Sequence, residues 1–151
     1  ERGYKVRVMV RSYSKEYLER WPGIEIIAAD ATNKAQLRKA LENVSVAYYL
    51  IHSMLVARKR FMASERLVVE NFRSIAEEMN LGRIIYLGTQ GIDGVDFKGR
   101  YKRRIQVGNI LREGNIPVTS LRTPLTIGSG SASFEMLNHI VCNYPVLFIP
   151  S

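Results

Sequence analysis

The chain has 151 residues, 46% of them hydrophobic and 24% charged, the ordinary make-up of one soluble globular domain able to bury a core. Lys and Arg number 22 against 14 Asp and Glu, and the resulting charge of +8 suits phosphorylated cofactors, nucleic acid or acidic membrane surfaces without choosing among them. A single cysteine, Cys142, excludes an intrachain disulfide and points to the cytoplasm, and the longest apolar candidate, residues 44–57, is broken by Ser45, His52 and Ser53 and is too short to span a bilayer.

The chain opens on Glu1 rather than Met, so its natural start is expected further upstream. Residues 5–11 (KVRVMVR) alternate Val6, Val8 and Val10 on one face between Gly3 and Ser12, which predicts a strand. Residues 14–20 read as a short helix ended before Pro22-Gly23, and residues 24–29 (IEIIAA) as a second strand closing on Asp30. Asn33 with Gln36 three residues on forms a capping box, after which Leu37, Ala40, Leu41 and Val44 recur at helical spacing. Residues 45–51 (SVAYYLI) are apolar almost throughout, the pattern of a strand covered on both faces of a parallel sheet. Phe61, Val68, Phe72, Ile75, Ala76 and Met79 form one stripe of a helix over 61–80, with Gly82 beyond its end. Residues 83–87 (RIIYL) are a fourth strand, 101–112 a helix stopped by Gly114-Asn115, 117–121 (PVTSL) a fifth strand, and 133–143 a last helix before a VLFI run. This alternation predicts a single α/β domain over 1–151, with a mainly parallel sheet built by right-handed crossovers.

Ligands of open parallel sheets bind outside the carboxyl ends of the strands. The residues expected there are Arg11-Ser12, Asp30-Ala31, His52-Ser53-Met54, Gly88-Thr89-Gln90-Gly91 and Arg122-Thr123-Pro124. With KVRVMVRS at 5–12, YYLIHSM at 48–54, RIIYLG at 83–88 and above all VTSLRTPLTIGSGSASFEML at 118–137, the whole chain resembles the atypical, NmrA-like members of the short-chain dehydrogenase/reductase superfamily. The resemblance implies a Rossmann-like, doubly wound sheet that binds NAD(P). Such proteins begin with a strand and a GxxGxxG loop that holds the pyrophosphate. Neither is present, so about 25 residues of a βα unit are expected before Glu1 and the fold is expected to be N-terminally truncated. In the strand order 3-2-1-4-5-6 that unit lies between the strands at 5–11 and 45–51. A central gap is therefore expected, with weak or absent dinucleotide binding by this fragment alone.

The resemblance also implies roles for individual residues. Arg11, with Ser12, stands where an arginine pairs with an adenosine 2′-phosphate, which favours NADP(H) over NAD(H); Arg2, Arg7 and Lys15 could share that charge, and a solvated strand-end arginine is the plainer reading. The carboxylate of Asp30 and the N–H of Ala31 would hold the adenine edge, while Asp30 could equally cap the following helix. Leu50, Ile51 and His52 would line the ribose and nicotinamide side, with His52 a hydrogen-bond donor, a titrating group or a purely structural histidine. Gly88 and Pro124 complete the expected cofactor-binding set.

The YxxxK pair of the superfamily, in which lysine lowers the pKa of a catalytic tyrosine, is absent. Tyr101 is followed four residues later by Ile105, and an alternative alignment puts Arg100 and Arg104 at the two positions. Arg104 could hold a ribose or a phosphate but cannot act as a neutralisable lysine. Thr89 falls near the usual catalytic serine, the catalytic residues stay unassigned, and no metal site is expected. Lys98, Arg100, Lys102, Arg103 and Arg104 are the best case for a nucleic-acid contact, but no nucleic-acid motif accompanies them. The favoured reading is thus the NADP(H)-binding domain of an atypical oxidoreductase or cofactor sensor acting on an unknown small molecule. The rival is a non-catalytic interaction or RNA-binding module using segment 98–104. A homodimer through the helices at 61–80 and 101–112 is a further expectation.

Overall fold

The structure is a computed structural model that describes residues 3–51, 58–88, 100–123, 127–128 and 131–144, with the side chains of 58–64, 100, 101 and 133 left aside. Its elements run β1 (Arg7–Val10), α1 (Glu16–Arg20), β2 (Glu25–Ala28), α2 (Lys34–Leu41), β3 (Val46–Tyr49), α3 (Arg58–Glu78), β4 (Arg83–Gly88), α4 (Arg100–Arg112), β5 (Val118–Arg122) and α5 (Ala132–Asn143). Every predicted strand and helix in this range forms, with ends displaced by at most three residues; the VLFI run lies outside the described residues.

Among the described residues all strand pairings are parallel, as βαβ crossovers require. They fall into two groups, β1 with β2 and the order β3-β4-β5, and β1 does not pair with β3. The fold is α/β and Rossmann-like, and the break lies where the resemblance places another strand. The core occupies one face. Ala47 and Tyr49 of β3 and Ile84 and Tyr86 of β4 meet Val69, Phe72, Ile75 and Ala76 of α3, with Leu37 and Leu41 of α2 on one flank and Val107 and Leu111 of α4 on the other. The apolar stripe of α3 is thus consumed by sheet packing.

Full coverage of β3, expected from its unbroken apolar run, is not observed. Its residues alternate exposed and buried, and Val46, Tyr48 and Leu50 turn to a face that no described helix covers. The apolar run reports only what each side chain is, whereas coverage depends on which elements stack on which side.

Two helix ends differ instructively from the sequence pattern. Asn33 does cap α2, accepting from the N–H groups of Ala35 and Gln36, but Gln36 does not close the box on Asn33. The Asn33 N–H already donates to the Asp30 carbonyl, so Gln36 reaches further back and accepts from the Asp30 N–H at 2.7 Å. At the end of α3, Asn80 rather than Gly82 takes the left-handed position, at φ 52°. The Asn80 N–H donates to Glu77 and the Leu81 N–H to Ala76, the paired bonds of a Schellman motif. Gly82 serves a close approach instead: its N–H donates to the Ser45 carbonyl at 2.8 Å, and a Cβ there would sit 3.2 Å from that oxygen.

Arg7 also departs from its expected role. It stands at the amino end of β1, away from the ligand edge, and its Nη1 donates to the carbonyls of Ala40 (3.0 Å) and Glu42 (2.8 Å) at the end of α2. Its Nε lies 2.9 Å from Glu25 Oε2, an ion pair without hydrogen-bond alignment. A cation on the orphan carbonyls of a helix carboxyl end satisfies acceptors and opposes the helix dipole. Arg7→Met should therefore lower the unfolding free energy in urea by about 2 kcal/mol, the scale of a charged hydrogen-bond set. Arg11→Met, at the exposed end of the same strand, should change it by less than about 0.5 kcal/mol.

Candidate functional site

The carboxyl ends of β1 and β2 are held together one residue beyond the strands, where the Ala29 N–H donates to the Val10 carbonyl at 2.8 Å. Continued past the strands, this register sets Arg11-Ser12 beside Ala29-Asp30, and the Arg11 charge acts on the Asp30 carboxylate. Arg11 and Ser12 are exposed, and neither side chain has a hydrogen-bond or ion-pair partner among the described residues. Asp30 forms a turn rather than a helix cap: its Oδ1 accepts from the Thr32 N–H at 2.8 Å and the Thr32 hydroxyl at 2.9 Å. Those two bonds, assisted by the positive charge of Arg11, hold the Asp30 carboxyl below its usual range despite slight burial. Oδ2 and the Ala31 N–H are left without a partner among the described residues, while the Ala31 methyl is buried in the core. The turn therefore leaves one carboxylate oxygen and the N–H of the next residue without a partner among the described residues, with the Arg11 charge acting on the carboxylate.

Further along the edge, Leu50 is exposed and Ile51 is half-buried against the core. Gly88 ends β4 buried, with the Tyr86 ring 3.1 Å from where its Cβ would be. The same ring carbon lies 3.1 Å from the Cβ position of Gly108 on α4, and the Tyr86 hydroxyl donates to the Arg104 carbonyl at 2.8 Å. Tyr86 thus fixes the start of α4, and with it half-buried Arg104, against β4. His52, Pro124, Thr89, Lys98 and Arg2 lie outside the described residues, as does the side chain of Arg100. Lys15 is exposed at the start of α1. Among the described residues no group of acidic, histidine or cysteine side chains could hold a metal, and no helix is long and apolar enough to cross a membrane.

A family model described as NAD(P)H-binding matches residues 1–125. The chain belongs to this NAD(P)H-binding family. Three solved structures share its fold. The triphenylmethane reductase of Citrobacter sp., complexed with NADP(H), is 20% identical with a TM-score of 0.65, over 79% of this chain and 40% of that one. The NADPH-dependent quinone oxidoreductase of Escherichia coli, complexed with NADPH, is 23% identical with a TM-score of 0.65, over 80% and 40%. The Bordetella bronchiseptica enzyme WbmH, in complex with NAD+, is 15% identical with a TM-score of 0.66, over 84% and 49%. This chain therefore spans less than half the length of these neighbours. No curated protein sequence matches it significantly. The family match and the fold neighbours bear out the NAD(P)-binding and Rossmann-like parts of the resemblance.

In this NAD(P)H-binding domain the structure also assembles a group that sequence reasoning passed over. Glu65 lies on the buried side of α3, one turn before Val69 and two before Phe72, both fully or nearly buried. Tyr49 and Tyr86, paired across β3 and β4, present their rings to the same face 6.0 Å apart, with Phe72 edge-on to Tyr49. Burial raises the Tyr86 phenol to about 12, with the Glu65 charge adding to the rise while Arg104 and Arg112 oppose it. Burial likewise raises the Glu65 carboxyl, and Arg103 on α4 pulls it back. The readable signal was a carboxylate at i−4 and i−7 of the apolar stripe, on the face where a solvated residue does not belong. A carboxyl whose folded pKa is raised destabilises the fold once ionised, a cost absent below its unfolded value of 4.5 and fully present above the folded one. Glu65→Gln should accordingly raise the melting temperature at about pH 8, with the gain fading as pH falls towards 4.5 in scans across that range.

Proposed function

We propose that this domain binds NADP(H) in preference to NAD(H) and serves an atypical, NmrA-like oxidoreductase or cofactor-sensing protein. The observation that carries the reading is the exposed, unpaired Arg11 guanidinium set beside the Asp30-Ala31 turn. Adenine presents a donor amino group next to an acceptor ring nitrogen, and the turn presents an acceptor, Asp30 Oδ2, next to a donor, the Ala31 N–H. Arg11 then lies where a 2′-phosphate on the attached ribose meets a fork of N–H donors. Two of the fold neighbours were solved with NADP(H) or NADPH, which agrees with this preference, although a third carries NAD+.

When bound, such a cofactor supplies or accepts a hydride, and the residues of this chain orient it. Leu50 and Ile51 continue the wall of the cleft along the strand ends, Gly88 lets the backbone of β4 end without a side chain in the way, and Arg104 offers a permanent cation on the side of α4. No tyrosine and lysine stand in the YxxxK relation, so proton delivery to a substrate falls to other groups.

In the full-length protein NADPH should bind more tightly than NADH by about 10- to 100-fold, the worth of one charge-assisted phosphate contact. Arg11→Ala should erase most of that preference by weakening NADPH alone, whereas Asp30→Ala should weaken both cofactors. Calorimetric titration of each pair checks this, and equal affinities in the unmutated protein would sink the NADP(H) assignment.

A further inference from the structure

Asn71 is the one polar side chain buried in the core among the described residues, 5% exposed in the middle of α3. A buried amide is costly unless its hydrogen-bonding groups are used. Here Nδ2 donates to the Thr32 carbonyl at 3.1 Å and, at greater length, to the Ala31 carbonyl at 3.4 Å. Both partners are acceptors, so only the NH2 side of the amide can face them.

These bonds join α3 to the turn after β2, and they complete its restraint. The Asp30 N–H is held by Gln36, the Asp30 carbonyl by the Asn33 N–H and the Thr32 N–H by the Asp30 carboxylate. Asn71 holds the two carbonyls that remain. Because a peptide unit is planar, with the C=O of one residue opposed to the N–H of the next, holding the Ala31 carbonyl orients the Thr32 N–H that binds the Asp30 carboxylate, and holding the Thr32 carbonyl orients the Asn33 N–H that binds the Asp30 carbonyl, whose own peptide carries the Ala31 N–H. We infer that Asn71 is a positioning residue of the nucleotide site: from the core, it sets the plane of the 30–32 turn and so aims the Ala31 N–H and the Asp30 carboxylate at the adenine edge. This rests on the adenine reading given above. A side chain present only for packing would be replaceable by leucine.

The test uses NADP+ binding by the full-length protein and two variants, each compared with the unmutated protein at the same pH so that titration of the cofactor cancels. Asn71→Asp keeps the size of the side chain; ionised, it sets oxygen against two carbonyl oxygens, and protonated it regains one O–H donor. Its affinity should be about tenfold lower at about pH 8 and should recover towards the unmutated value at about pH 5. Asn71→Leu should be weak at both pH values, and weak for adenosine 2′,5′-bisphosphate but unchanged for nicotinamide mononucleotide. Hydrogen exchange at the Thr32 amide, read without ligand, should be faster in Asn71→Leu. Variants that bind as the unmutated protein does, or a loss in Asn71→Asp that does not respond to pH, would overturn the inference while leaving the cofactor assignment standing. If the unmutated protein does not bind NADP+, the cofactor assignment falls, and unchanged exchange at Thr32 would then overturn the positioning role as well.

Discussion

The structure depends on the burial of one side of α3. The β1–β2 pair and the β3-β4-β5 group share no strand hydrogen bonds, so sheet pairing alone does not make them one body. Val69, Phe72, Ile75 and Ala76 supply the common surface, meeting Tyr49 and Ile84 on one group while α2, packed alongside, is tied through Arg7 to the amino end of β1. Fully burying an aliphatic side chain of this size is worth about 1.5–3 kcal/mol. Two exposed cross-links, Arg38 to Glu78 and Arg73 to Glu113, align α2, α3 and α4 along their outer surfaces. Such surface pairs contribute little beside the core.

This arrangement also braces the described part of the edge at the carboxyl ends of the strands, although it is built from turns. Each turn is anchored to an element beneath it: the turn after β2 to α2 and α3, and the start of α4 to β4 through Tyr86. Polar atoms that face the core are consumed by those anchors. Those on Arg11, the second carboxylate oxygen of Asp30 and the Ala31 N–H have no partner among the described residues. The same division of labour separates the two arginines of β1, since Arg7 at one end is spent on the carboxyl end of α2 while Arg11 at the other has no partner among the described residues.

Much of the fold was legible in the sequence because it rests on local periodicity. The alternating KVRVMVR segment, the stripe from Val68 to Met79 and the Asn33 cap each carry their signal within a few residues. The adjacency of Arg11 and Asp30 was legible too, since parallel register follows once the strands are placed. The remainder was not local. Arg7 reaches carbonyls more than 30 residues away and Asn71 reaches 39, and no pattern near either residue announces its partner. Glu65 was visible as a carboxylate within an apolar stripe, but an acidic residue on a helix is ordinarily read as solvated, and only the neighbouring strands show that it is not.

The Tyr86 ring has a consequence for how this sequence can change over time. It stands 3.1 Å from where a Cβ would be at both Gly88 and Gly108, a tight contact, and its hydroxyl is committed to α4. Three positions on two elements therefore share one steric constraint. An alanine at either glycine requires the ring to give by a few tenths of an ångström, whereas trimming the ring opens a void against α4 that a larger residue at the glycine would fill. Related chains that lack this tyrosine should carry a side chain at one of the two glycine positions, so that the three vary together while the surrounding edge keeps its shape.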